Sequence, residues 1–306
     1  PMTFPTLTRA AGALTLCASL AAPAAHAASW TFDRKLTASD GAVGDEFGFS
    51  VALSGGTALV GAAGDDDNGS GSGSAYLFDT ATGAQLQKLT ATDGAAGDSL
   101  GRSVALSGGT ALVGARGDDD NGSNSGSAYL FDAGTGTQLQ KLAATDGSAF
   151  DQFGFSVALS GGTALVGSPL DDDNGIESGS AYLFDVATGD FLRKLTAPDA
   201  VGNGFGSSVA LSGGTALVGA RFDDDNGARS GAAYLFDVAT GDFLQKLTAP
   251  DGAAEDRFGW SVALSGGTAL VGAIRDRDNG ASSGSAYLFT HDPAPIPVPL
   301  PAALLA

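Results

Sequence analysis

The chain has 306 residues, is 43% hydrophobic and carries a formal net charge of −19. That apolar share excludes a disordered chain, and the excess of acid excludes nucleic acid as a partner, because phosphates must be met by Lys and Arg. A single cysteine excludes a disulfide framework.

In chain order, the first element reads as an address. Arg9, the apolar run from Ala10 to Ala22 and the small-x-small site Ala25-His26-Ala27 predict a secretory signal peptide over residues 1–27. Leu16 stands where a lipoprotein signal would have a small residue before Cys17, which argues against lipidation. Cleavage after Ala27 removes Cys17 and His26 and leaves His291 as the only histidine.

From residue 29 to 292 the chain repeats itself. "SVALSGGTALVG" occurs five times, and the copies aligned on Val51, Val104, Val157, Val209 and Val262 are spaced by 53, 53, 52 and 53 residues. Within a unit, "SVALS" and "TALVG" flank Gly-Gly, which tolerates positive φ and predicts a tight hairpin. The "AYLF" segment, apolar on both faces, predicts a strand covered on both sides. "QLQKL" alternates and carries a lysine (Lys88, Lys141, Lys194 and Lys246, with Lys35 before the first unit), the mark of a protected edge strand. Four strands per unit and no helix describe an all-β fold, a five-bladed β-propeller of four-stranded blades. Residues 30–38 align with a fourth strand, while the last unit stops after its third near Phe289. The N-terminal strand is therefore expected to complete the last blade and close the ring.

The repeated order Phe47-Gly48, Phe153-Gly154, Phe205-Gly206 and Phe258-Gly259, with Leu100-Gly101 as a variant, followed each time by "VGA" or "VGS", resembles the FG-GAP repeats of integrin α-chain propellers and their bacterial relatives. Those propellers have seven blades, with calcium loops between FG and GAP where this chain has only Gly-Gly. The family's metal site is therefore not carried over. Kelch propellers share the paired glycines but have a Trp in each blade, absent here. The tail from 293 to 306 is Pro-rich, and Val298 to Ala302 ("VPLPA") resembles the opening of a PEP-CTERM-type sorting signal. That resemblance implies a Gram-negative bacterium, a location in the cell envelope or extracellular matrix, and a membrane contact only through an anchor beyond Ala306.

In a propeller the loops between second and third strands open on the same face as those between blades. Of the 34 acidic residues, 26 fall in these loops, together with seven of the 15 Lys and Arg (Arg102, Arg116, Arg221, Arg229, Arg257, Arg275 and Arg277). All the net charge is thus expected on one face, suited to cations or basic partners. Each unit carries "DDDNG", or "DRDNG" in the last. The outer pairs Asp65/Asp67, Asp118/Asp120, Asp171/Asp173, Asp223/Asp225 and Asp276/Asp278 are the candidate ligands for Ca2+, which takes several carboxylate and carbonyl oxygens. A solvated turn is the alternative, since Asp, Asn and Gly favour turns in their own right.

Within the ring there is no His and no Cys, and all five Tyr occupy the same blade strand, so no catalytic residue is assigned. The expectation is a non-catalytic binding or matrix protein, secreted or held at the cell surface and monomeric, whose partner is an extracellular polysaccharide or a cell-surface protein. A calcium-dependent adhesin or lectin-like module is the alternative, and a polysaccharide-cleaving propeller enzyme a further one.

Overall fold

The structure, a computed structural model, describes residues 31–199 and 202–291. The expected signal peptide and sorting tail lie outside them. All sheets belong to the compact unit that begins at Lys35.

Among the described residues there are nineteen strands and no helix. The first unit holds β1 (Phe47–Ser54), β2 (Thr57–Ala62), β3 (Ser74–Asp79) and β4 (Gln85–Leu89). The second holds β5 (Ser103–Ser107), β6 (Thr110–Ala115), β7 (Ser127–Asp132) and β8 (Gln138–Leu142), and the third β9 (Ser156–Ser160), β10 (Thr163–Ser168), β11 (Ser180–Asp185) and β12 (Phe191–Leu195). The fourth holds β13 (Phe205–Ser212), β14 (Thr215–Ala220), β15 (Ala232–Asp237) and β16 (Phe243–Leu247). The last has β17 (Phe258–Ser265), β18 (Thr268–Ala273) and β19 (Ser285–Thr290). Each sheet is antiparallel and ordered as the chain runs: four sheets of four strands and one of three. The first hairpin turns on Gly55 and Gly56 at φ 56° and 85°, the left-handed backbone that the Gly-Gly pair predicts.

The sheets pack in series through their first strands, β1 on β5, β5 on β9, β9 on β13 and β13 on β17. The join between blades explains both glycine motifs. A Cβ on Gly114, at the end of "LVG", would fall 2.1 Å from the carbonyl oxygen of Gly154, the glycine of the next blade's Phe-Gly pair. Only hydrogen atoms fit between the two backbones. Around this contact Leu112, Leu130 and Leu142 of the second blade pack against Val157, Val166, Tyr182 and Phe184 of the third. Each such side chain taken from water contributes roughly 1.5–3 kcal/mol. The Phe of the motif packs within its own blade: Phe153 meets Tyr182 and Phe184 edge-on, with centroids 5.4 and 5.8 Å apart.

The two terminal blades differ from the inner ones. Residues 31–38 carry no strand, Trp30 lies outside the described residues, and β19 is bonded to β18 alone among the described strands. The expected pairing of the N-terminal segment with β19 is thus not present. Leu36 and Ala38 instead pack on the first blade against Tyr76 and Phe78. Leu142 packs on the third blade's Tyr182 and Phe184 in the same manner, so the segment takes one half of a fourth strand's role, the half that faces the following blade.

Candidate functional site

The acidic loops are built around a cation that belongs to the chain. In the second unit, Lys141 leaves the edge strand β8 and places its ammonium 2.7 Å from Asp93, 2.9 Å from Asp118 and in hydrogen-bond contact with Asp120. An ammonium has three N–H donors, and here each finds a carboxylate. The Tyr129 hydroxyl donates to Asp118 at 2.8 Å from below, and the ammonium lies 5.3 Å from its ring centroid. The same knot forms around Lys88 (Asp40, Asp65, Asp67, Tyr76), Lys194 (Asp146, Asp171, Asp173, Tyr182) and Lys246 (Asp199, Asp223, Asp225, Tyr234). Each knot joins the loop before a blade, the loop between its second and third strands, and its outer two strands. The two loop classes therefore do share a face.

The electrostatics follow from this enclosure. Burial would push the Lys141 ammonium down, but its hydrogen bonds to Asp120, Asp93 and Asp118 carry it well above an ordinary lysine. Asp40 is held below the usual carboxylate range chiefly by Lys88. Asp93, Asp146 and Asp199 are also held low: burial opposes this, and their lysines outweigh it. Burial pushes the Tyr182 phenol far up, and the neighbouring Asp171 adds to it.

The expected calcium ligands are brought together as the spacing implies. The inner Asp of each pair (Asp65, Asp118, Asp171, Asp223, Asp276) is at most 3% exposed, and the outer one is open to solvent. In four units, three carboxylates offer oxygens within 4.8 Å of one another, so such clusters could bind a metal ion. In those four, however, the lysine nitrogen already satisfies them. The lysines thus act as counter-ions on the acidic face, not simply as edge guards, and that face is less negative than the loop count implies. The last unit differs. Tyr287 donates to Asp276 at 2.6 Å and lies 2.9 Å from Asp251, but no fourth strand brings a lysine to Asp251, Asp276 and Asp278 among the described residues. Asp278 is pushed upward by the charges of Asp276 and Asp251. Lys35, which the repeat pattern would supply, is exposed.

A second feature lies where the first strands begin, at the mouth of the same face. The residue after each Phe-Gly or Leu-Gly pair is Phe49, Arg102, Phe155, Ser207 or Trp260, and the residue after each "VGA" or "VGS" is Ala63, Arg116, Pro169, Arg221 or Ile274. These positions break an otherwise close repetition, and that break is the sequence signal for them. Seven of them, Phe49, Arg102, Phe155, Ser207, Trp260, Arg116 and Arg221, line a cavity of about 720 Å³, beside the repeated Ser and Val of the first strands.

A family comparison adds to this. The FG-GAP repeat model matches residues 30–78, 84–131, 137–184, 190–236 and 242–289. The chain belongs to the FG-GAP repeat family. Each matched repeat opens on the segment that ends the preceding blade, and the first opens at residue 30, so the stretch before β1 matches as the same element as β4 or β8. No curated protein matches the chain.

Proposed function

We propose that this FG-GAP protein is a non-catalytic binding module, exported and held in the cell envelope or extracellular matrix, which meets its partner with the loop face. FG-GAP repeats suggest a propeller module of the kind often used for binding or adhesion. The observation that carries the reading is the division of labour between repeats. The residues that recur in unit after unit make the joins, the lysine knots and the Ser and Val floor of the mouth, whereas its charged and aromatic lining comes from positions that change. A rigid scaffold with variable residues in a concavity is how binding proteins are commonly built. The leader and the "VPLPA" tail support export, and the partner in this reading is an extracellular polysaccharide or a cell-surface protein.

Calcium enters the same proposal at one position. In the fifth unit Asp251, Asp276 and Asp278 repel one another with no lysine between them among the described residues; they are not gathered as the four metal-capable clusters are, so a calcium ion there would have to draw their oxygens together as it neutralised them. A glycan array with the exported protein, run in calcium and in chelator, tests the reading. Retention of specific glycans is expected, reduced by chelator if the fifth cluster shapes the face. Retention of none, with turnover of a glycan instead, would replace this reading by the enzyme one.

A further inference from the structure

The mouth holds more positive charge than the scaffold requires. The guanidinium of Arg102 lies 4.7 Å from the ring centroid of Phe49 and 5.7 Å from that of Phe155. Arg116 lies 5.6 Å from Phe155. Arg221 sits among three rings, 5.4 Å from Phe155, 4.8 Å from Phe222 and 4.9 Å from Trp260. Three cations from two blades thus alternate with aromatic faces in one concavity. Among the described residues, none of these three guanidinium groups forms an ion pair or donates a hydrogen bond to protein, although acidic side chains fill the surrounding loops. The Arg221 Nε is buried without a partner. The nearest acids serve others or stand off: Glu255 is shared between Arg229 and Arg275 at 3.7 and 3.9 Å, and Glu46 acts on Arg102 only at a distance.

This arrangement costs free energy unless something meets it. Burial lowers the pKa of Arg116, and Arg102 and Arg221 lower it further by like charge. Each guanidinium lies within cation–π range of at least one ring, and a ring offers its N–H groups no acceptor in return; those N–H groups can meet a carboxylate in a paired, planar fashion. Ser103, whose oxygen accepts from the Val157 N–H, keeps its own O–H to donate into the cavity, whereas Ser156 and Ser208 donate theirs to the Gly206 and Gly259 carbonyls; Phe49, Phe155 and Trp260 add apolar faces. A ligand that uses all three has a carboxylate, several hydroxyls and a flat apolar side. The volume of about 720 Å³ suits a ligand of one or two rings. The ring of acidic loops outside would repel the body of a polyanion and admit only its end.

Resting on the proposed binding role of this face, we infer that the mouth is a binding site for a terminal carboxylate-bearing sugar, held by Arg102, Arg116 and Arg221 with its ring stacked on Trp260 or Phe155. Glucuronate, a short oligoglucuronate and glucose serve as probes with the full chain, by calorimetry and by Trp260 fluorescence. Glucuronate and the oligomer should bind and change the emission, and glucose should bind at least tenfold more weakly. Arg116→Gln and Arg221→Gln should each weaken glucuronate at least tenfold with melting temperatures near that of the parent. If Arg221→Gln fails to fold, Arg116→Gln decides, since Arg116 stacks on a single ring. Equal affinity for glucose and glucuronate, no binding of either, or full affinity in Arg116→Gln would overturn the assignment. The wider reading fails separately: a glycan array with no retained glycan defeats both, whereas retention of neutral glycans only defeats the sugar-acid site alone.

Discussion

At the scale of single residues, the lysine knot is the feature with the largest consequences. Removing one partner of an enclosed charge cluster typically costs 3–5 kcal/mol. The Lys141 side chain is 21% exposed, and two of its three carboxylates can turn to water, so Lys141→Met should cost about 2–3 kcal/mol at pH 7 by chemical denaturation. The same variant turns the second unit into a copy of the fifth, three carboxylates and a tyrosine without a cation. Millimolar calcium should therefore raise its melting temperature more than it raises the parent's, at matched ionic strength; equal shifts would mean that the carboxylates form no cation pocket. Since Asp93 is held below its ordinary 3.8 by Lys141, its contribution is present above about pH 4 and lost as pH falls through the lowered value. Asp151 has the opposite sign. Burial, reinforced by the charges of Asp171, Asp172 and Asp173, pushes it up to about 6. Its ionisation therefore weakens the fold progressively as pH rises from about 4 to above 6. The fourth repeat already carries Asn203 at this place, donating to Asp223 at 3.2 Å. Asp151→Asn should melt with the parent at pH 4 and about 2–4 °C higher at pH 7.5; an unchanged difference across that range would refute the assignment. The five acidic knots and their Asp-x-Asp spacing were legible in the sequence. The cation inside four of them was not, because Lys141 lies more than twenty residues from Asp118 and alternates along its strand like any edge lysine.

At the scale of elements, the blade was legible almost entirely because its signals are local. Gly-Gly sets the first turn, the apolar "AYLF" strand is buried as its lack of polar residues implies, and the alternating fourth strand lies at the edge. What lay hidden is why the glycines of "LVG" and of the Phe-Gly pair recur together. They meet only across a blade boundary, more than thirty residues apart in sequence. Any side chain there must force two backbones apart, so overpacking at Gly114 differs from overpacking a soft core. Gly114→Val should abolish cooperative folding, or cost upward of about 3 kcal/mol, because its neighbour is the fixed carbonyl of Gly154 and not a flexible side chain. Gly71→Ala is the control. It has positive φ but open space around it, so it should cost only about 1–2 kcal/mol of backbone strain. Equal losses in the two variants would show that contact across the boundary is not what the motif serves.

At the scale of the whole molecule, the open question is what meets the two end blades. Every inner boundary pairs an "LVG" glycine with a Phe-Gly or Leu-Gly glycine, but a Cβ on Gly48 would meet nothing within 4 Å, and one on Gly272 would meet only its own blade's Ser261. Both glycines lack the neighbour that every inner boundary supplies. The surfaces beside them are uncovered as well: Val51 and Leu53 on the first blade are 70% and 74% exposed, and Leu288 on the last is 66% exposed, whereas Leu130 and Leu183 at its place in inner blades are fully buried. Exposed apolar faces of this kind invite a partner. A partner of matching shape would bring a Phe-Gly-type glycine to Gly272 and an "LVG"-type glycine to Gly48, and the two uncovered faces answer that description for each other. A chain whose two uncovered faces meet is expected to be a closed monomer. Light scattering should give one chain mass across a hundredfold range of concentration. Gly272→Val should then be as damaging as Gly114→Val, and deletion of residues 29–39 should expose the edge of β19 and promote aggregation. If the molecule is instead an open arc, Gly272→Val meets only the Ser261 hydroxyl of its own blade, a side chain that can turn away, and no fixed backbone. A parent-like melting temperature for that variant, together with a monomeric deletion, would rule out closure.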